Sequence, residues 1–480
     1  MKRLILFVEP SSGQLNIFSQ FTLPRLGSFI LAGLANRRSS WNARVFVEGR
    51  QRFELQRWID QHGRPEVVGI STITATAKRG YALADECRAR SIPVVLGGPH
   101  VTFLSEEALT HAGLVVRGEG EAAMEALLDL WKEEYVEAAD PRYAKVPNLS
   151  WVDGAGRIRH NPMAPWIANL DGLPWPDFTL ADGTADCVIG GRNTIMVQTS
   201  RGCPFDCSFC SVTGMFGRKL RCRSIESILG ELRHYETGEH FVFFCDDNFT
   251  ANKRRARELL EAMLRAGCRL PWSTQVRTDL ARDPDLVRLM KRAGCHTVFI
   301  GFESVSPQSL TEMKKSQSVE DIRNAIRVVQ AAGIHIHGMF VFGFEKDDWR
   351  TVEATVDFAR KMKLTSVQLL ILTPLPGSEL YQRLGTEGRI LSFDWDRYDT
   401  HHVVYQPAGF TPFELQRAQV YGHTRLYAPG QTLRKLVVGR WVAAGLSLYA
   451  WKINRDWQQA NHAYLRELAA ASDPSNLAQE

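Results

Sequence analysis

The sequence predicts an α/β protein of two consecutive parallel-sheet domains. The first is a Rossmann-like (flavodoxin-type) unit, the second a partial (βα)6 barrel, and a mainly helical C-terminal extension follows. Three observations carry this. Short apolar runs alternate with helical stretches over most of residues 1–390, as in βα repeats whose strands are covered on both faces. One interval rich in turn formers, with Asn161-Pro-Met-Ala-Pro165 and Asp171-Gly-Leu-Pro-Trp-Pro-Asp177, interrupts the alternation. At 480 residues the chain also exceeds a usual single domain. The expected divisions are 1–140, a linker or strap over 141–192, the barrel over 193–390 and the extension over 391–480.

In the first unit the candidate strands are Leu4–Val8, Arg44–Val47, Val67–Ser71, Val94–Leu96 and Leu114–Val116, with helices near Ser28–Arg37, Phe53–Gln61, Lys78–Arg90 and Ser105–His111. Ligands of such sheets sit beyond the carboxyl ends of the strands. The informative loops are therefore Glu9–Gly13, Ser71–Thr76, Gly97-Gly-Pro-His-Val-Thr102 and Arg117-Gly-Glu-Gly-Glu121. Small residues there let backbone approach a bulky ligand closely, although any one such glycine is also explained by a tight turn. In the linker, Asp153-Gly-Ala-Gly156, flanked by Asn148–Val152 and Arg157–Arg159, reads as a small hairpin.

The barrel strands are expected at Thr194–Gln198, Phe241–Cys245, Trp272–Val276, Thr297–Ile300, His337–Val341 and Ser366–Leu372. Working residues of barrels gather at the carboxyl ends of strands. There the sequence places a cysteine-bearing loop, Asp246-Asp247-Asn248, Arg277, Gly301-Phe-Glu-Ser304, Gly343-Phe344 and Thr373-Pro-Leu-Pro-Gly377.

The loop after the first barrel strand, Thr199-Ser-Arg-Gly-Cys-Pro-Phe-Asp-Cys-Ser-Phe-Cys210, holds Cys203, Cys207 and Cys210 in the spacing C-x3-C-x2-C. A [4Fe-4S] cube normally takes four thiolates, so three leave one iron open to a substrate. Zinc with Cys222 as fourth ligand, or three ordinary buried thiols, are the other readings. The spacing, with an aromatic residue before the last cysteine, resembles the radical S-adenosylmethionine (SAM) superfamily. Phe299-Ile-Gly-Phe-Glu-Ser304 and Thr373-Pro-Leu-Pro-Gly377 match its larger members. The resemblance implies that the open iron binds SAM and that an electron cleaves it to a 5′-deoxyadenosyl radical. It further implies Asp246, Asp247 and Asn248 as acceptors for the methionine ammonium, Arg277 for its carboxylate, Glu303 for a ribose hydroxyl, and Phe209 and the Thr373 backbone at the adenine.

Gly97-Gly-Pro-His-Val-Thr102 and Arg117-Gly-Glu-Gly-Glu121, ahead of the cysteines, resemble the cobalamin-binding domain of B12-dependent radical SAM enzymes. That likeness implies corrin contacts from Ser71, Thr72, Thr74, Gly97, Gly98, Pro99, His100 and Glu119. The D-x-H-x-x-G signature that supplies histidine to cobalt elsewhere is absent, and His100 reads as a loop residue rather than an axial ligand. The resemblance spans about residues 1–385. It implies a methylase acting on an unactivated carbon through methylcobalamin, with hopanoid- and tetrapyrrole-modifying members among the relatives. Oxidative cyclisation or rearrangement with the same cofactors is the alternative. A methylthiotransferase is disfavoured because the first 150 residues hold only Cys87. A non-enzymatic zinc or corrin module is the remaining reading.

Composition bounds the rest. A net charge of +5 over so long a chain does not argue for nucleic acid. Nine cysteines, three in one motif, are no disulfide framework, and the short apolar run after Met1 is too brief for a signal peptide. A reducing cytoplasm is the expected compartment, with a small-molecule substrate and an external one-electron donor such as flavodoxin or ferredoxin. In the extension, Asp394–Tyr405 with His401-His402 reads as a lid or solvated loop, Phe413–Tyr427 as a helix and Ala469–Glu480 as a frayed tail. Leu436–Trp451 is apolar with basic flanks and short for a membrane span. It reads as a helix packed on the barrel or, alternatively, as a peripheral membrane contact that would suit a lipid-like or polycyclic substrate.

Overall fold

The computed structural model of the chain describes residues 2–13, 23–49, 51–182, 188–189, 191–235 and 239–472. Its first sheet contains β1 (Arg3–Glu9), β2 (Trp41–Val47), β3 (Val67–Ser71), β4 (Val94–Gly97), β5 (Leu114–Val116), β6 (Leu149–Val152), β7 (Ile158–His160) and β8 (Ala181–Asp182). Their spatial order is β7-β6-β5-β4-β3-β1-β2-β8. Strands β1 to β5 run parallel, which is the flavodoxin-type winding expected from sequence. The order reverses between β1 and β3, and that switch opens a crevice at the strands' carboxyl ends. The strands are apolar on both faces for a physical reason. Leu6, Val8, Val68 and Ile70 pack on one side with Leu83 and Cys87, while Ile5, Phe7 and Val67 pack on the other with Phe29, Met124 and Leu127.

Parts of the expected strap are built into this sheet. The hairpin β6–β7 adds antiparallel to β5, and β8 adds parallel to β2, where Asp182 accepts from Arg44 Nε at 2.6 Å and from Trp58 Nε1 at 3.2 Å. The sequence reading missed two helices. Glu121–Leu130 covers the sheet, and Pro99–Phe103 turns most of the expected Gly97–Thr102 loop into a helical turn with proline at its start.

The second sheet begins with β9 (Val188–Ile189), antiparallel to β10 (Arg192–Val197). After β10 the chain forms a small ribbon of β11 (Ser200–Arg201) and β12 (Arg221–Cys222). Then follow β13 (His240–Phe244), β14 (Trp272–Val276), β15 (Cys295–Glu303), β16 (His335–Phe342) and β17 (Ser366–Ile371). Strands β10 and β13 to β17 are parallel in chain order, the open six-stranded barrel that the alternation predicts. Ile228, Leu259, Leu286, Ile322 and Val356, from helices between successive strands, share the core with the strands.

The extension departs from expectation. Residues 394–404 do not form a lid or a solvated loop: Trp395, Tyr398 and Val404 are buried in the first domain's core beside Val68 and Leu83. His402 is buried too, its Nδ1 3.0 Å from Asp399 and its Nε2 2.8 Å from Asn461 Oδ1. The apolar Leu436–Trp451 stretch is not one helix. Helices Pro429–Val437 and Trp441–Ala460 meet at Gly439, whose φ of +74° breaks the run. Ala469–Ala471 close a helix rather than fray, and residues 473–480 lie outside the described residues. No helix among the described residues is long and apolar enough to cross a membrane.

Candidate active site

The cysteine loop leaves β11 and returns to β12. Gly202, with φ +88°, starts it where a Cβ would stand 3.1 Å from the Gly217 carbonyl oxygen, so only glycine fits without displacement. Two backbone bonds tie the loop to the barrel: Ser208 N donates to Met313 O, and Leu380 N donates to Ser208 O at 2.9 Å. Cys203, Cys207 and Cys210 are partly exposed, unlike the buried Cys87, Cys268 and Cys295. Burial raises the Cys203 and Cys210 thiols, Cys210 to about 12, and the thiols act on one another electrostatically. Such thiols keep their protons until a metal displaces them. Arg277 faces Cys207 Sγ at 3.7 Å and lies 3.8 Å over the Phe205 ring. Three thiols on one loop beside a fixed cation are the donor set of an iron–sulfur cube with one open iron, and among the described residues no three His, Cys, Asp or Glu side chains are grouped to hold a single metal ion. Cys222, the candidate fourth zinc ligand, instead has Arg255 and Asp246 as its charged neighbours.

The expected SAM contacts divide. Asp246 is fully engaged: it accepts from Thr199 N at 3.1 Å, from Thr199 Oγ1 at 2.9 Å and from Ser200 Oγ, tying β10 to β13. It is a structural clamp rather than an open ammonium acceptor. Neither aspartate caps the next helix, since Asn252 does. Asp247 is the carboxylate whose charge acts on Cys203 and Cys210, and burial, then Asp246, raise it to about 6. Asn248 is buried, with Nδ2 unpaired. Glu303, at φ +63°, is held by Lys315 Nζ in a buried ion pair. Arg277 also donates to Lys315 O. The cation Lys315, absent from the sequence reading, thus stands at the barrel mouth between two expected contacts. Its signal was the Lys314-Lys315 pair twelve residues after Glu303. Phe209 meets Phe344 edge-on at 6.3 Å, and Thr373 is buried with Oγ1 on Ile371 O at 3.0 Å.

A cavity of about 350 Å³ joins the two domains. Ser71, Gly97, Gly98, Pro99 and Glu119 line it from the first sheet, and Met196, Gln198, Arg201, Met215 and Cys245 from the barrel. Gly98, at φ +102°, rests on Thr72, where a Cβ would lie 2.8 Å from the backbone nitrogen and overlap the carbonyl oxygen. The slot reaches between the sheet and its helices to Phe7 and Leu127. An open crevice at the switch point with a glycine cradle fits a bulky planar cofactor.

Thr72, Thr74 and His100 do not line this cavity. Thr72 and His100 are wholly buried, and Thr74 nearly so. His100 packs 4.9 Å from Trp395, and both rings bond Glu107, so the imidazole points into the core and away from any corrin. Glu119 lines the cavity but its carboxylate is taken. It accepts from Arg221 Nη1 at 2.8 and 2.9 Å, from Arg201 Nη1 at 3.1 Å and from Ile167 N at 3.0 Å. Arg201 also pairs with Glu121 at 2.7 Å. This buried network binds the first domain's last glycine loop to the ribbon beneath the cysteines.

Two family models match the chain, the B12 binding domain over residues 19–128 and the radical SAM superfamily over 197–359. An uncharacterized methyltransferase of Pyrococcus horikoshii is 32% identical over 382 residues, covering 77% of this chain and 80% of the relative. The bacteriochlorophyllide d C-12(1)-methyltransferase of Chlorobaculum tepidum is 29% identical, covering 71% of this chain and 70% of its own. The cobalamin-dependent SAM radical enzyme OxsB, solved with aqua-cobalamin and SAM, shares the fold. Its TM-score is 0.70 at 15% identity, over 99% of this chain and 81% of OxsB. With the open barrel, the three-cysteine loop and the crevice above it, these likenesses establish that the chain belongs to the cobalamin-binding branch of the radical SAM superfamily, enzymes that use a [4Fe-4S] cluster, SAM and cobalamin.

Proposed function

We propose that this enzyme methylates an unactivated carbon of a small apolar or polycyclic substrate. The observation that carries this reading is the shared cavity, which reaches from the first domain's glycine loops to Gln198 and Cys245 at the barrel mouth. Its barrel-side lining includes Met196, Met215 and Phe216, which suits an apolar substrate. When bound, the cube supplies the electron that splits SAM and the corrin supplies a methyl carrier. Cys203, Cys207 and Cys210 hold the cube. Gly97, Gly98, Pro99 and Ser71, which line the cavity, would hold the corrin.

The chain's own groups orient SAM. Asp247 and Asn248 receive the ammonium, and Arg277 and Lys315 the carboxylate, because an ion pair with hydrogen bonds fixes a zwitterion from both ends. Phe209 and the Thr373 backbone bound the adenine, and Glu303 serves a ribose hydroxyl through its second oxygen. A small flavodoxin- or ferredoxin-type protein in a reducing cytoplasm supplies electrons.

The test is anoxic turnover with methyl-labelled SAM. Label in the product, together with 5′-deoxyadenosine, supports methylation. Deoxyadenosine with an unlabelled, cyclised or rearranged product would favour the alternative chemistry. No deoxyadenosine from a sample with full iron occupancy would overturn both.

A further inference from the structure

The helical hairpin of Pro429–Val437 and Trp441–Ala460 ends in an apolar knuckle that packs on nothing among the described residues. Val437 is 79% exposed, Trp441 69% and Val438 61%, and Leu433 and Leu448 are similarly open. The inner face of the second helix is different. Ala443, Ala444, Ser447, Ala450, Ile453 and Trp457 are buried. The knuckle is thus the outward side of a firmly seated element. Arg440 Nη2 anchors its turn by donating to Lys363 O at 2.6 Å. Apolar side chains gathered at one tip in this way are unusual on a surface that meets only water.

Charge identifies the partner. From Leu415 to Arg455 the chain carries seven cations, Arg417, Arg425, Arg434, Lys435, Arg440, Lys452 and Arg455, and not one aspartate or glutamate. Arg434 and Lys452 are exposed, and Arg455, at the end of the run, pairs with Asp456 at 3.7 Å. A second copy would set this positive field against itself, whereas an anionic bilayer would neutralise it while taking up valine, leucine and tryptophan at the headgroup level. Neither helix of the hairpin is both long and apolar enough to cross, so it would lie at the interface.

We propose that this knuckle seats the enzyme on the surface of an anionic phospholipid membrane, with Val437, Val438 and Trp441 inserted and Arg434 and Lys452 on the lipid phosphates. The inference is independent of the chemistry at the cysteines. It is tested by sedimenting the full-length protein with vesicles of phosphatidylcholine, with and without phosphatidylglycerol, at low and high salt. Wild type is expected to pellet only with the anionic vesicles and to release at high salt. Val437→Asp with Trp441→Asp should lower the bound fraction roughly tenfold, and Arg434→Glu with Lys452→Glu should do likewise, both leaving deoxyadenosine release and thermal stability unchanged. Wild type that ignores anionic vesicles, or variants that bind as well as wild type, would overturn the proposal. So would a wild-type dimer that the Val437→Asp, Trp441→Asp variant splits into monomers.

Discussion

Glu119 and Arg221 meet at 2.8 Å with both side chains almost wholly out of water. One belongs to the first domain's last glycine loop, the other to the ribbon under the cysteines, and Arg201 completes the group. Opposite charges here hold two cofactor sites at one separation. Removing one partner from a buried pair leaves the other charge stranded, which costs about 3–5 kcal/mol. Glu119→Gln should therefore lower the urea midpoint markedly. An unchanged midpoint would mean that water reaches the arginines.

Lys315 links two residues of the proposed SAM site by bonding Glu303 through its ammonium and Arg277 through its carbonyl. A charge-assisted bond to a carboxylate is worth about 1.5–3 kcal/mol, so Lys315→Met should raise the KM for SAM on the order of ten- to a hundredfold. Lys315→Arg should recover part of it. Deoxyadenosine release against SAM concentration gives the answer, and equal KM values in all three proteins would remove Lys315 from the site.

Gly98 occupies a left-handed conformation against Thr72. Gly98→Ala adds a Cβ where backbone already stands. The strain of about 1–3 kcal/mol would be relieved by moving the loop that faces the cavity. Corrin absorbance per chain after gel filtration should fall severalfold, while iron per chain stays at the wild-type level. A normal corrin content would show that this loop does not contact the cofactor.

His337 bonds Ser366 Oγ at 2.8 Å and Gln368 Oε1 at 3.3 Å, and burial pushes its imidazole down to about 4, with Gln368 opposing. The folded value lies below the unfolded one. Its contribution is therefore complete above about pH 6.5 and is lost as pH falls through about 4. Wild type should lose on the order of 3 kcal/mol across that window from this group, and His337→Gln should show a shallower decline. Parallel stability curves for the two proteins would contradict the assignment.

Strand positions were legible because each strand is a short apolar run buried on both faces, as with Val67–Ser71 and Trp272–Val276, whose bounds the sequence reading reproduced. The cysteine loop was legible because its three ligands lie within eight residues. The roles of Asp246, Glu119 and His100 were not, for one shared reason. Each side chain is claimed by partners distant in sequence: Asp246 by Thr199 and Ser200, Glu119 by Arg201 and Arg221, and His100 by a ring brought back from the extension. A motif shows which residues stand together on a loop. It does not show which way they turn once a second element arrives.

Trp395 closes the face of the first domain from 288 positions beyond its hydrogen-bond partner Glu107. As the chain leaves the ribosome, the first sheet domain emerges with that face bare and stays so until the barrel and then Trp395 have followed. A shortened version ending after the barrel would not be a minimal enzyme, because it would lack one wall of its own beginning.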